Sequence, residues 1–243
     1  MSTISRRRFL QLSAMAGGAL AFGDLADQVL GLTRRAPVAH AAEPIKVGII
    51  DPLSSPYKTS SIHDVHGATV ALEMYNKRGG VLGRPVSIIE ADDASNLQTA
   101  IKMANKLIKE DHVDFLMGTF NGDVALAVAD VAKQQNRLFM ATCPHIMDLT
   151  GAHCSSHTFV FMPNARMMAQ AVASYIVKVH GSRWYMITAD TVDGKAALQA
   201  MMDALKALNG EVVGAAVTPF GTTDFTAALT EAKAAKPSVV ILN

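Results

Sequence analysis

The chain has 243 residues, of which half are apolar and 18% charged, and its formal net charge is +1. That is enough apolar material for the core of one or two domains. The charge balance, with no basic stripe and no acidic tail, excludes the electrostatic footprint of a nucleic-acid-binding protein. The first segment reads as an address rather than as fold. Ser5-Arg6-Arg7-Arg8-Phe9-Leu10 precedes a weakly apolar run from Leu12 to Phe22, well short of the roughly 20 residues that span a bilayer. Val38-Ala39-His40-Ala41 offers small residues where a signal peptidase cuts, so residues 1–41 are expected to be an export signal removed after Ala41. The arginine pair followed by Phe-Leu matches the twin-arginine address, which a receptor reads and which is not an anchor. An amphipathic start to a first helix fits less well, because Gly17-Gly18 and Arg34-Arg35 interrupt it. Removal of this segment takes away five Arg and two Asp, turns the charge from +1 to −2, and leaves a mildly acidic protein expected in the periplasm. No other stretch is a transmembrane candidate.

Beyond it the pattern alternates. Residues 45–51 (IKVGIID) form a short, β-branched, nearly all-apolar run, as in a strand buried on both faces. Residues 63–77 carry Val65, Ala68, Thr69, Leu72 and Tyr75 at helical spacing. Residues 86–90 read as a strand and 96–110 as a helix with Ile101, Ala104, Leu107 and Ile108 on one face, capped by Ser95 or Asn96. A strand over 113–117, a helix over 123–134 and a strand over 138–141 complete the first series. The second runs helix 166–179, strand 184–188, helix 195–208, strand 211–218, helix 224–235 and strand 238–242. Between them lies the less regular stretch 142–164, with a lone strand-like segment over 157–161. The alternation predicts an α/β protein of two lobes, each a doubly wound parallel sheet: an N-terminal lobe over 42–163 and a second over 164–243.

Gly79, Gly80 and Gly83 follow a helix and precede a strand, the reverse of a phosphate loop. The adjacent helix end offers carbonyls and negative dipole, so these glycines are read as a helix cap and a turn rather than an anion cradle. Cys143 and Cys154 are the only cysteines. In an oxidising compartment a disulfide between them is expected. The alternatives are free thiols, or a soft-metal set built from Cys143-Pro144-His145 and Cys154-Ser155-Ser156-His157, although zinc sites show tighter paired spacings. No metal or other cofactor is expected.

The run NKRGGVLGRPVSIIEADDASNLQTAIKMANKLI, residues 76–108, resembles the exported solute-binding proteins of branched-chain amino-acid ABC transporters, the leucine-binding type I periplasmic binding proteins. Ser54-Ser55-Pro56 sits where that family has Ser/Thr-Gly-Pro, and Phe220-Gly221-Thr222-Thr223-Asp224-Phe225 matches its Gly-x-x-Asp-Phe. The match runs over residues 43–243. It implies a two-lobed clamp that closes on a small solute and delivers it to a membrane permease, acting as a monomer and not as an enzyme. The chain stops at a strand, KPSVVILN, where the family continues through lobe two and returns to lobe one, so a C-terminally truncated member with an incomplete second lobe is expected. A ligand-sensing module of a signalling system and a non-binding fragment are the alternatives.

Clefts of this kind lie beyond the carboxyl ends of parallel strands, which directs attention to four loops. In the first, Ser54 to Ser60, Ser60 stands at the family's usual Tyr position and Tyr57 is a substitute. In the second, Thr119, Asn121 and Gly122 are candidates; by resemblance a Ser at the position of Gly122 holds the ligand carboxylate with helix N-terminal amides. The third offers Thr142 and His145. In the fourth, Asp190-Thr191-Val192-Asp193-Gly194, both aromatics of the family pattern are missing, and Asp193 is a candidate partner for a ligand amine. Asp123 reads equally as a helix N-terminal residue. Asp92 and Asp93 read as cap and turn residues rather than metal ligands, and His63 and His66 as solvated. The pairs Met167-Met168 and Met201-Met202 read as filler. No Gly-x-Ser-x-Gly elbow occurs, and Cys143 with His145 is the nearest approach to a nucleophile and base.

Overall fold

The computed structural model describes residues 43–243; the export signal expected over residues 1–41 lies outside the described residues. β1 (Ile45–Asp51), β2 (Val86–Asp92), β3 (Phe115–Gly118), β4 (Leu138–Ala141) and β5 (Thr158–Val160) form one parallel sheet in the order β2-β1-β3-β4-β5. β6 (Arg183–Ala189), β7 (Glu211–Thr218) and β8 (Val239–Leu242) form a second, in the order β7-β6-β8. The helices are α1 (Lys58–Lys77), α2 (Leu97–Lys109), α3 (Gly122–Gln134), α4 (Ala165–His180), α5 (Val192–Ala207) and α6 (Thr226–Ala235).

Strand alternation sorts the core into layers. In β1, Ile50 faces the cluster built by Ala104, Leu107, Val124 and Val128 of α2 and α3. Val47 and Ile49 face the other way, toward Val65, Ala68 and Leu72 of α1. Each helix thus buries its apolar stripe on one face of the sheet, the doubly wound arrangement. The second lobe repeats it, with Trp184 and Met186 against α4 and α5, and Tyr185 and Ile187 against α6. Trp184 is fully buried, and its indole N–H donates to the Gly181 carbonyl at 2.9 Å.

The α1–β2 turn explains the motif that carried the family resemblance. Gly80 has φ +76°, and a Cβ there would stand 2.0 Å from the Arg84 carbonyl oxygen. No side chain fits. Val81 and Arg84 exchange backbone hydrogen bonds around Leu82 and Gly83, both at positive φ, the backbone of a tight two-residue hairpin. The Asn76 side chain then pins the start of β2, its Nδ2 donating to the Val86 carbonyl and its Oδ1 accepting the Val86 N–H, each at 2.8 Å.

Element limits differ from expectation mainly at helix starts. α1 begins at Lys58 rather than residue 63, because its first turn is polar and solvent-facing and carries no apolar periodicity. α5 begins at Val192 rather than residue 195: the Thr191 hydroxyl accepts the Gly194 N–H at 2.9 Å, so a side-chain cap starts the helix where Gly194 suggested a loop. Asn96, not Ser95, caps α2, accepting the Thr99 N–H.

Candidate functional site

The strand ends of the first lobe converge on one edge. Asp51 closes β1, Asp93 follows β2, Thr119, Phe120 and Asn121 follow β3, and Thr142 and Cys143 follow β4. Second-lobe residues reach the same edge: Asp193 from the first turn of α5, and Phe220 from beyond β7.

Buried polar groups normally find partners. Here seven side-chain oxygens do not, and they gather in one place. Both oxygens of Asp51, Oδ2 of Asp93, the hydroxyls of Ser61, Thr119 and Thr142, and Oδ1 of Asn121 are buried with no hydrogen-bond partner among the described residues. All lie on the strand ends of lobe one or on the adjacent first turns of α1. Burial, and then the nearby charges of Asp64 and Asp93, push the Asp51 carboxyl up to about 8. Asp93 is raised to about 6, chiefly by burial, although Oδ1 accepts the Ser95 N–H at 2.7 Å. Asp92 goes the other way: burial is outweighed by hydrogen bonds from Ser54, Ala94 and Leu53, and the carboxyl lies below its ordinary value. Asp92 and Asp93 serve as turn residues, but Asp93 does so fully buried.

Tyr57 closes the edge. Its ring packs on Phe120, 4.7 Å between centroids, and on Phe220 from the other lobe, 4.4 Å. Burial, followed by the charges of Asp193 and Asp123, raises its phenol above the ordinary range. Asp193 crosses between lobes as well: Oδ2 accepts the Gly122 N–H at 2.7 Å and Oδ1 the His145 N–H at 3.3 Å.

Of the residues expected from sequence, the structure brings Tyr57, Thr119, Asn121, Gly122, Thr142, His145 and Asp193 to this edge. His145 contributes its backbone rather than its ring. Nδ1 donates to the Pro163 carbonyl at 3.0 Å and the His145 carbonyl accepts from Ala165, so the residue fastens the segment that crosses into lobe two. Ser54 is exposed and supports Asp92. Ser60 is exposed on α1, whereas the neighbouring Ser61 is buried, on the same helix face as Val65. The disulfide is a correction. Both cysteines are free, because the Cys143 thiol donates to Asp64 Oδ2 at 2.8 Å while Cys154 lies exposed beyond the 3-10 turn Asp148–Thr150. Among the described residues no group of three or more His, Cys, Asp or Glu is arranged to hold a metal ion.

Sequence reasoning missed Asp51, Asp64, Ser61, Phe120 and Phe220. One signal was available: a carboxylate as the last residue of the strand IKVGIID, directly after four apolar or small residues. Phe220 carried none, since an aromatic in a loop says nothing of which ring it meets.

A family model described as periplasmic binding protein matches residues 44–243. The Leu/Ile/Val-binding protein BraC3 of Rhizobium johnstonii is 33% identical over 213 residues, covering 84% of this chain and 55% of that protein. The crystal structure of an amino acid ABC transporter substrate-binding protein from Pseudomonas fluorescens Pf-5 superposes with a TM-score of 0.75 at 26% identity, covering 83% of this chain and 54% of that one. A solute-binding protein of an ABC transporter from R. palustris, solved in complex with benzoate, gives 0.74 at 25% identity, with 82% and 55% covered. The chain spans about half the length of the curated relatives it matches.

Proposed function

This chain belongs to the periplasmic binding protein family, and from that premise we propose that it is the solute-capturing component of an ABC transporter. It is exported to the periplasm by the twin-arginine route, takes a small solute, an amino acid or a related carboxylate or amide, between its lobes without turnover, and hands it as a monomer to a membrane permease. The observation that carries this reading is the set of buried, unpartnered polar atoms at the strand ends of lobe one, facing Asp193 and Phe220 from lobe two. Unpaired polar atoms cost stability in the empty protein and gain partners when a polar solute arrives, which turns their burial into binding energy. Relatives of the family include a Leu/Ile/Val-binding protein and a solute-binding protein solved with benzoate, both directed at small molecules that carry a carboxylate. Thermal-shift screening against amino acids, amides and aromatic acids tests the proposal. A stabilising shift with recovery of the compound unchanged supports it, and a folded chain that responds to none refutes it.

A further inference from the structure

The Asp193 carboxylate belongs to the second lobe, yet both of its oxygens are engaged by the first, through the amides of Gly122 and His145. Gly122 is the first residue of α3, a helix of 13 residues, so its amide is one of the orphan donors at the positive end of the helix dipole. Two amides converging there form an anion seat, and the seat is filled by a side chain of the protein itself. Gly122 makes room for it. A Cβ at that position would stand 3.0 Å from both Asp193 oxygens and 2.5 Å from Cγ2 of Ile146. The polar atoms left without partners on the same edge are the oxygens of Asp51 and Asp93, Oδ1 of Asn121, and the hydroxyls of Thr119 and Thr142, every one of which can accept and none of which is an N–H donor. Thr119, fully buried, lies three residues before the seat. With the two amide donors consumed, these oxygens can accept from a solute that brings N–H groups, while a second carboxylate finds only O–H donors and meets the charge of Asp193.

We propose that Asp193 is the specificity-determining residue of the cleft: it occupies the anion seat made by the Gly122 and His145 amides, so the chain takes solutes bearing amide or amine N–H groups and turns away free carboxylates. The proposal rests on the reading of this edge as a solute site. A solute carboxylate would have to displace Asp193 and then lie beside it, at the cost of like-charge repulsion.

Isothermal titration calorimetry of the full chain and its Asp193→Ala and Asp193→Asn variants decides the matter, with benzoate and L-leucine as carboxylate probes and benzamide and L-leucinamide as their amide counterparts. The wild type is expected to prefer each amide over its acid. Asp193→Ala, with its seat vacated, is expected to gain roughly tenfold or more in affinity for the two acids, as befits charge-assisted hydrogen bonds. Asp193→Asn keeps an acceptor for the Gly122 amide and removes the charge. It is expected to shift in the same direction and carries the readout if the alanine variant does not fold. A wild type that prefers the acids, acid affinities unchanged across the three proteins, or folded variants that bind neither acid each overturn the proposal. In the last case, amide binding by the wild type leaves the solute-binding reading standing, whereas no response of the wild type to any of the four probes overturns both.

Discussion

Phe220 of the second lobe lies against Tyr57 of the first, ring centroids 4.4 Å apart and planes inclined by 28°. Phe120 packs on the same tyrosine from its own lobe, so one ring is flanked by an aromatic from each half of the molecule. Phe220→Ala is expected to lower stability by about 1 kcal/mol, in the range of an aromatic pair, as read by urea denaturation. A variant as stable as the wild type would mean that the stack does not hold the lobes in solution.

The buried Asp51 carboxyl makes stability fall with rising pH. Its folded-state pKa, about 8, stands above the ordinary 3.8, so between those values the native state binds more protons than the unfolded chain. The slope is about 1.4 kcal/mol per pH unit per group, flat below the lower value and above the upper. Asp93, raised to about 6, adds a second window at its lower end. Asp51→Asn is expected to match the wild type near pH 4 and to exceed its melting temperature increasingly toward pH 8, keeping only the Asp93 contribution. Parallel profiles for the two proteins would contradict the assignment.

The two thiols are expected to differ sharply in reactivity. Burial, and then Asp64 and Asp51, push the Cys143 thiol up to about 12 and keep it protonated as a donor to Asp64, whereas Cys154 is exposed. Iodoacetamide at pH 8 should add one label to the native chain, at Cys154, and a second only on unfolding. An intact mass that shows no label without reductant would establish a disulfide instead.

Gly122→Ala places a methyl against Ile146 and the Asp193 oxygens. The expected cost is about 1–3 kcal/mol, that of overpacking. In the double variant with Asp193→Ala part of this cost should vanish, since the alanine has no oxygens to meet, and a cycle of chemical denaturation curves measures the coupling. Strict additivity would show that the two residues do not meet in solution.

Much of the fold was legible because the forces that make it are local. The bounds of β4 and β7 follow from apolar runs and turn residues alone, as does the role of the Gly79–Gly80 turn, where positive φ and a close carbonyl admit no side chain. The start of α5 was not legible, since it depends on which of two hydroxyl-bearing or acidic residues turns inward to cap it, and Thr191 does. Similarly, the burial of Ser61 required the register of α1 against the sheet, which the weak periodicity of its first turn does not specify.

What the sequence determined by itself was the alternation of strands and helices, the family, and the loops at the carboxyl ends of the first-lobe strands, all of which rest on periodicity and on turns a few residues long. Only the tertiary structure decided what those loops do. Asp193 is 71 residues from the amide that it accepts from, and Phe220 stacks on a ring more distant still. Such partners are selected by how two lobes pack, and packing follows from the summed burial of whole helix faces rather than from any spacing along the chain. The Asp193 carboxylate, read from its loop as a partner for a ligand's amine, accepts from the protein's own backbone in this structure.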